Sequence, residues 1–142
     1  MENSIQQGKV IYSGSTLTTG GREGASKSSD GRLDIKLTSP GAKGEGTNPE
    51  QLLAAGWSAC FLGAMGKSAA AINVKLPQDS SINTIIDLVL SETEGYSLQA
   101  HLNISLPGID RETANAIAEA AHLICPYSKA LHGNIKVETN IL

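Results

Sequence analysis

Two side chains in this chain can attack an electrophile or bond to each other: Cys60, set in Ala-Gly-Trp-Ser-Ala-Cys60-Phe, and Cys125, set in Leu-Ile-Cys125-Pro-Tyr-Ser. They are its only cysteines. Neither belongs to a C-x-x-C pair and no H-x-x-x-H occurs, so a metal site drawn from Cys60, Cys125, His101, His122 and His132 is not expected. Two isolated thiols leave two readings open. They are inert core residues, free cysteine being among the most buried residue types, or they are a cooperating redox couple.

A reactive cysteine must be held as a thiolate. Cys60 falls about twelve residues into an apolar helical run, too far from its N-terminus to gain from the positive end of the helix dipole. A reactive Cys60 therefore needs a cation from elsewhere. Arg22, flanked by Gly20-Gly21 and Gly24, stands where the backbone can turn a guanidinium inward, although an exposed loop charge has the same pattern. Glu50, in the first turn of the helix, either complements the dipole or holds an arginine fork in place. The helical span from Glu50 to Cys60 is about 15 Å and the two do not share a face. Glu50 thus joins a Cys60 site only through a long Arg22 side chain or from a second subunit. His122, one helical turn before Cys125, is either an ordinary helix histidine or the base of a Cys/His hydrolase.

The elements that must carry these groups are legible from pattern. Residues 9–18 are β-branched and aromatic enough for a strand, punctuated by Gly20-Gly21. Asp30-Gly31 turns the chain into a second strand, where Leu33, Ile35 and Leu37 alternate with polar residues. Ser39 to Thr47 is glycine-rich and reads as a mobile loop. Asn48-Pro49-Glu50-Gln51 then starts a helix running to about Ala71, with Asn48 as cap and Pro49 at its first position. Small residues are spread around this helix and its charges are few, so it is packed on nearly all sides. At ~1.5 Å per residue it is about 36 Å long, more than a chain of this size can wrap alone, and a partner subunit is expected to complete its burial.

Two alternating strands follow, from Ile82 to Leu90 and from Tyr96 to Leu106, joined as a hairpin by Glu92-Thr-Glu-Gly95. Asp110 caps a second helix with the apolar stripe Ala114, Ile117, Ala118 and Ala121, and Pro126 breaks it at Cys125. A short turn to Gly133 leads to a last strand carrying Ile135, Val137, Thr139 and Ile141. The order β, β, helix, β, β, helix, β predicts an α+β fold, an antiparallel sheet packed on a long buried central helix and a second helix.

The chain has 142 residues, which fit a single domain over 1–142. With 11 Lys+Arg against 14 Asp+Glu and 4% aromatics, it lacks the basic, stacking surface that nucleic-acid binding requires. The segment from Leu52 to Ile72 carries Ser58, Lys67 and Ser68 and reads as a buried helix rather than a membrane span. The polar opening Met-Glu-Asn-Ser-Ile-Gln-Gln resembles no secretory signal, so a cytoplasmic protein is expected, one in which any Cys60–Cys125 bond is transient.

Two long segments, Asn48-Pro-Glu-Gln-Leu-Leu-Ala-Ala-Gly-Trp-Ser-Ala-Cys60-Phe and His122-Leu-Ile-Cys125-Pro-Tyr-Ser-Lys-Ala-Leu-His-Gly-Asn134-Ile, resemble the organic hydroperoxide resistance (Ohr) branch of the Ohr/OsmC family. Gly-Gly-Arg22 and Ser-Ser-Asp-Gly31-Arg-Leu-Asp add to the likeness, which covers nearly the whole chain. The resemblance implies an OsmC-like, intertwined homodimer that reduces organic or fatty-acid hydroperoxides to alcohols without metal, flavin or haem. By position, Cys60 matches the peroxidatic cysteine and Cys125 the resolving one. Arg22 and Glu50 match the pair that activates the thiolate and orients the peroxide. The implied electron donor is a dithiol, dihydrolipoamide or the lipoyl group of a lipoylated protein. Leu53, Trp57 and Leu131-His132 depart from the usual residues.

Such a mechanism passes through a Cys60 sulfenic acid and a Cys60–Cys125 disulfide. It requires the two Cα atoms within about 7 Å, with the broken end of the second helix against the middle of the first. Leu52, Leu53, Trp57, Phe61 and Ile124 would supply apolar surroundings. An OsmC-branch peroxidase and a non-catalytic dimeric stress or binding protein with buried cysteines are the alternatives.

Overall fold

The computed structural model describes residues 8–142, and the opening segment 1–7, read above for a secretory signal, lies outside them. The chain divides into two compact units, Met1–Asn48 and Pro49–Leu142.

In the first unit three short strands, β1 (Thr16–Thr19), β2 (Ala25–Ser28) and β3 (Asp34–Lys36), form an antiparallel sheet in the order β1-β2-β3. A strand over 9–18 is not observed: pairing with β2 begins only at Thr16, opposite Ser28, and residues 9–15 extend past the end of that ladder. β2 was not legible in the sequence. Ala-Ser-Lys-Ser has weak strand propensity, and it is extended because it is hydrogen-bonded on both sides. Arg22 sits on a 3-10 turn, Gly21–Glu23, between β1 and β2. Gly24 closes that turn: a Cβ there would fall 1.7 Å from the Thr19 carbonyl oxygen, so only glycine fits. The glycine-rich stretch after β3, expected to be a loose loop, is tied at its base. Thr38 N–H donates to Thr47 O and Thr47 N–H to Lys36 O, both at 2.9 Å, and Gly46 N–H donates to Thr38 Oγ1 at 2.8 Å.

The second unit contains α1 (Pro49–Ala71), the hairpin β4 (Ser81–Ser91) and β5 (Gly95–Ser105), α2 (Arg111–Ile124), α3 (Pro126–Leu131) and β6 (Lys136–Ile141). The hairpin closes at Ser91 opposite Gly95 as the pattern required. Alternation along β5 sends Ala100, Leu102 and Ile104 into a core with Trp57, Phe61, Met65, Ile117 and Ala121 from the helices. The α+β class is as expected. The sheet differs in one strand: β6 runs parallel to β5, so β4-β5-β6 is mixed rather than wholly antiparallel. The connection through α2 and α3 is the long crossover that parallel neighbours need. The expected turn after Pro126 is the short helix α3.

Helix α1 buries Trp57, Phe61, Ala64, Met65, Ser68 and Ala69. Gln51, Ala55, Ala59, Gly63 and Lys67, at four-residue spacing, remain exposed along another face. No helix among the described residues is long and apolar enough to cross a membrane.

Candidate functional site: two thiols at a helix break

The break that positions Cys125 follows from Pro126. Proline excludes the residue before it from the helical region, and Cys125 is extended at φ −66°, ψ 119°. Its N–H donates to Ala121 O at 2.8 Å, finishing α2, while its carbonyl accepts from Lys129 N–H at 2.9 Å, starting α3. Asp110 Oδ2 caps the other end of α2 by accepting from Thr113 N–H at 3.0 Å. Small side chains let α2 approach α1, and Ser68 Oγ donates across the gap to Ile117 O at 2.8 Å.

The result is a direct meeting of the two cysteines. Cys125 Sγ donates toward Cys60 Sγ at 3.0 Å, and both are free thiols. Cys60 keeps partial solvent access whereas Cys125 is fully buried. Burial pushes the Cys60 thiol up, and the second sulfur beside it adds to the rise; the backbone N–H of Tyr127, which donates to Cys60, works against both. The Tyr127 ring lies over Gly56, where a Cβ would fall 2.7 Å from its hydroxyl oxygen. Within Pro49–Leu142, then, Cys60 is accessible and paired but favours the neutral thiol.

The remaining expected groups lie elsewhere in the fold. Arg22 belongs to the first unit, on its 3-10 turn. Glu50 is in the first turn of α1, half-buried, in the same unit as the thiols. Trp57 and Phe61, expected around a substrate, are 0% exposed and back the thiol pair from the core, leaving Leu52, Leu53 and Ile124 with partial access.

His122 is not disposed as a base for Cys125. Its Nδ1 is 2.9 Å from Ser128 Oγ and its Nε2 is 2.9 Å from Thr139 Oγ1. Burial, and secondly His132 at 4.4 Å between ring centroids, bring its pKa down to about 4. Ser128 is fully buried and also accepts from Trp57 Nε1–H at 3.0 Å. Sequence reasoning passed over Ser128, Gly56 and the Tyr127 amide. The signal for Ser128 was a small polar residue one turn beyond Cys125; it is the one buried residue of α3, whose other side chains are mostly exposed. Among the described residues no group of three or more His, Cys, Asp or Glu side chains could hold a metal ion.

Comparison with known proteins identifies the family. The model of the family described as OsmC-like protein matches residues 42–140. An organic hydroperoxide resistance protein of Xanthomonas axonopodis pv. citri (strain 306) is 45% identical over 133 residues, 91% of this chain and 93% of that one. Organic hydroperoxide resistance protein OhrB of Bacillus subtilis (strain 168) is 39% identical over 136 residues, 93% of this chain and 98% of that one. The crystal structure of Bacillus subtilis OhrB superposes with a TM-score of 0.88 at 37% identity, covering 94% of this chain and 100% of that chain. The chain therefore belongs to the Ohr/OsmC family, among relatives that bear the name organic hydroperoxide resistance protein.

Proposed function

We propose that this protein is a cysteine-based peroxidase that reduces organic hydroperoxides to alcohols and so protects against oxidative stress. The observation that carries this reading is the 3.0 Å approach of a partly accessible thiol, Cys60, to a buried one, Cys125. The Cys60 thiolate attacks the peroxide oxygen; the O–O bond breaks, the alkoxide leaves and takes a proton to become the alcohol, and Cys60 is left as a sulfenic acid. The Cys125 sulfur then attacks the sulfenic sulfur and expels water, forming the disulfide. A sulfur separation of 3.0 Å needs to close by only about 1 Å to reach the ~2.05 Å of a disulfide. An external dithiol, such as dihydrolipoamide or the lipoyl group of a lipoylated protein, regenerates both thiols by two exchanges. No bound cofactor takes part.

Arg22 supplies the positive charge that offsets the upward push of burial on Cys60, and Glu50 orients its guanidinium. The active form is an intertwined homodimer working in the cytoplasm. Its support is the uncovered stripe on α1 and the apolar side chains left in water, among them Val10, Ile11, Leu90 and Tyr96. The two units are read as one Ohr/OsmC-like domain over 1–142, since the family match at 42–140 crosses the boundary between them.

Steady-state consumption of cumene and fatty-acid hydroperoxides with dihydrolipoamide tests the scheme. Cys60→Ser is expected to abolish turnover, and Cys125→Ser to leave a sulfenic acid at Cys60 that dimedone traps after one turnover. Arg22→Gln is expected to lower kcat/KM about 100-fold or more and to move its rise to higher pH. Undiminished consumption by Cys60→Ser would sink the reading in favour of a non-catalytic binding or stress protein.

A further inference from the structure

We infer that Ser128 is the positioning residue for the thiol pair: its hydroxyl ties α3 to α1 and α2 together and thereby holds Cys125 Sγ within bonding reach of Cys60 Sγ. The inference rests on reading the two cysteines as a redox couple. Ser128 lies three residues after Cys125 and Trp57 three residues before Cys60, so each is about one helical turn from a thiol. The Trp57–Ser128 hydrogen bond, 3.0 Å, is therefore a second rung beside the 3.0 Å sulfur contact, both spanning α1 and the α2–α3 break.

The donors and acceptors of this rung allow a complete assignment. An indole N–H only donates, so Ser128 Oγ accepts from Trp57. Ser128 then has one proton to give, and His122 Nδ1 lies 2.9 Å away to receive it. The remaining His122 Nε2–H donates to Thr139 Oγ1, also at 2.9 Å. One relay, Trp57 to Ser128 to His122 to Thr139, thus joins α1, α3, α2 and β6. Among the described residues no buried side-chain N or O atom lacks a partner. Alanine at 128 would leave the Trp57 N–H and the His122 Nδ1 both unpaired in the core, and the broken end of α2 would lose its register on α1.

The effective concentration of Cys125 toward Cys60 measures this register directly. Equilibration with reduced and oxidised glutathione, acid quenching and alkylation, with mass spectrometry of the Cys60–Cys125 bond, gives that quantity without any peroxide. Ser128→Ala is expected to lower it about tenfold or more, and Trp57→Phe, which removes the donor together with part of the ring, to lower it in the same direction. Ile104→Val, a core truncation away from the relay, should reduce thermal stability yet leave the value unchanged. Wild-type effective concentration in folded Ser128→Ala, or in Trp57→Phe where Ser128→Ala fails to fold, overturns the inference. A fall as large in Ile104→Val also overturns it, since general loosening would then explain the effect. Should the wild type form the disulfide with glutathione but consume no hydroperoxide, the peroxidase reading fails and the positioning role stands.

Discussion

The two units of this molecule are held by different forces. In Pro49–Leu142, long elements bury large side chains, Trp57, Phe61, Met65, Leu102, Ile104 and Ile117, and both thiols are set within that packing. Among the described residues of Met1–Asn48, Leu37 is the one buried apolar side chain. The strands there are three or four residues long, and their side-chain bonds are short polar ones such as Thr18 Oγ1 to Ser26 Oγ at 2.8 Å. The difference suggests a division of labour. Packing fixes the distance between the two sulfurs, while the charge of Arg22 is carried on a turn shaped by glycines.

The largest effect expected from that contrast is in the packed unit. Leu102 is 0% exposed, and Leu102→Ala is expected to cost about 3–4 kcal/mol of global stability, read from denaturant midpoints. A cost near 1 kcal/mol would mean that β5 is not the centre of the core. This packing was also the most legible part of the fold. Alternation along β5 and the Asn-Pro-Glu-Gln start of α1 are local, since a period and a first-turn proline are both written in neighbouring residues. What escaped notice was non-local. Ala-Ser-Lys-Ser becomes β2 only because strands flank it, and the direction of β6 is set by the crossover through α2 and α3. Cys60, Cys125, Arg22 and Glu50 could be proposed from motif and family resemblance. The Trp57–Ser128 bond joins residues 71 apart and leaves no periodic trace in the sequence.

A smaller effect should separate the units. Alanine at Gly24 would place its Cβ 1.7 Å from Thr19 O and 2.7 Å from Gly20 Cα, both backbone atoms that cannot swing aside. Gly24→Ala is expected to cost about 1–3 kcal/mol, by forcing the Gly21–Glu23 turn out of shape. Hydrogen exchange should show faster amides over β1 to β3 with β4 and β5 still protected; under the role proposed for Arg22, hydroperoxide turnover falls as well. Equal loss of protection in β4 and β5 would break the comparison, since the two units would then be opening as one.

The smallest effect uses pH to probe the packed unit alone. Native His122 titrates near 4 because burial and then His132 oppose its charge, whereas in the unfolded chain it titrates near 6.5. Between these values the unfolded chain binds a proton that the native one does not, so stability rises with pH there. The contribution is complete above about pH 6.5 and is lost as pH falls toward 4. Allowing for the partial exposure of the ring, the loss amounts to about 1–2 kcal/mol. Asp87 and Asp110, whose carboxyls are held below their usual range by hydrogen bonds from Gln99 and from the Thr113 amide, give up their contribution only below that window. Urea unfolding from pH 7 to pH 4.5 should therefore show a decline that His122→Asn flattens, after subtraction of the constant cost of the substitution. Exchange should quicken first around Ser128 and Thr139, the partners of the imidazole, and not in β1 to β3. An unchanged slope in His122→Asn would assign the acid sensitivity to other groups and leave the neutral histidine as packing alone.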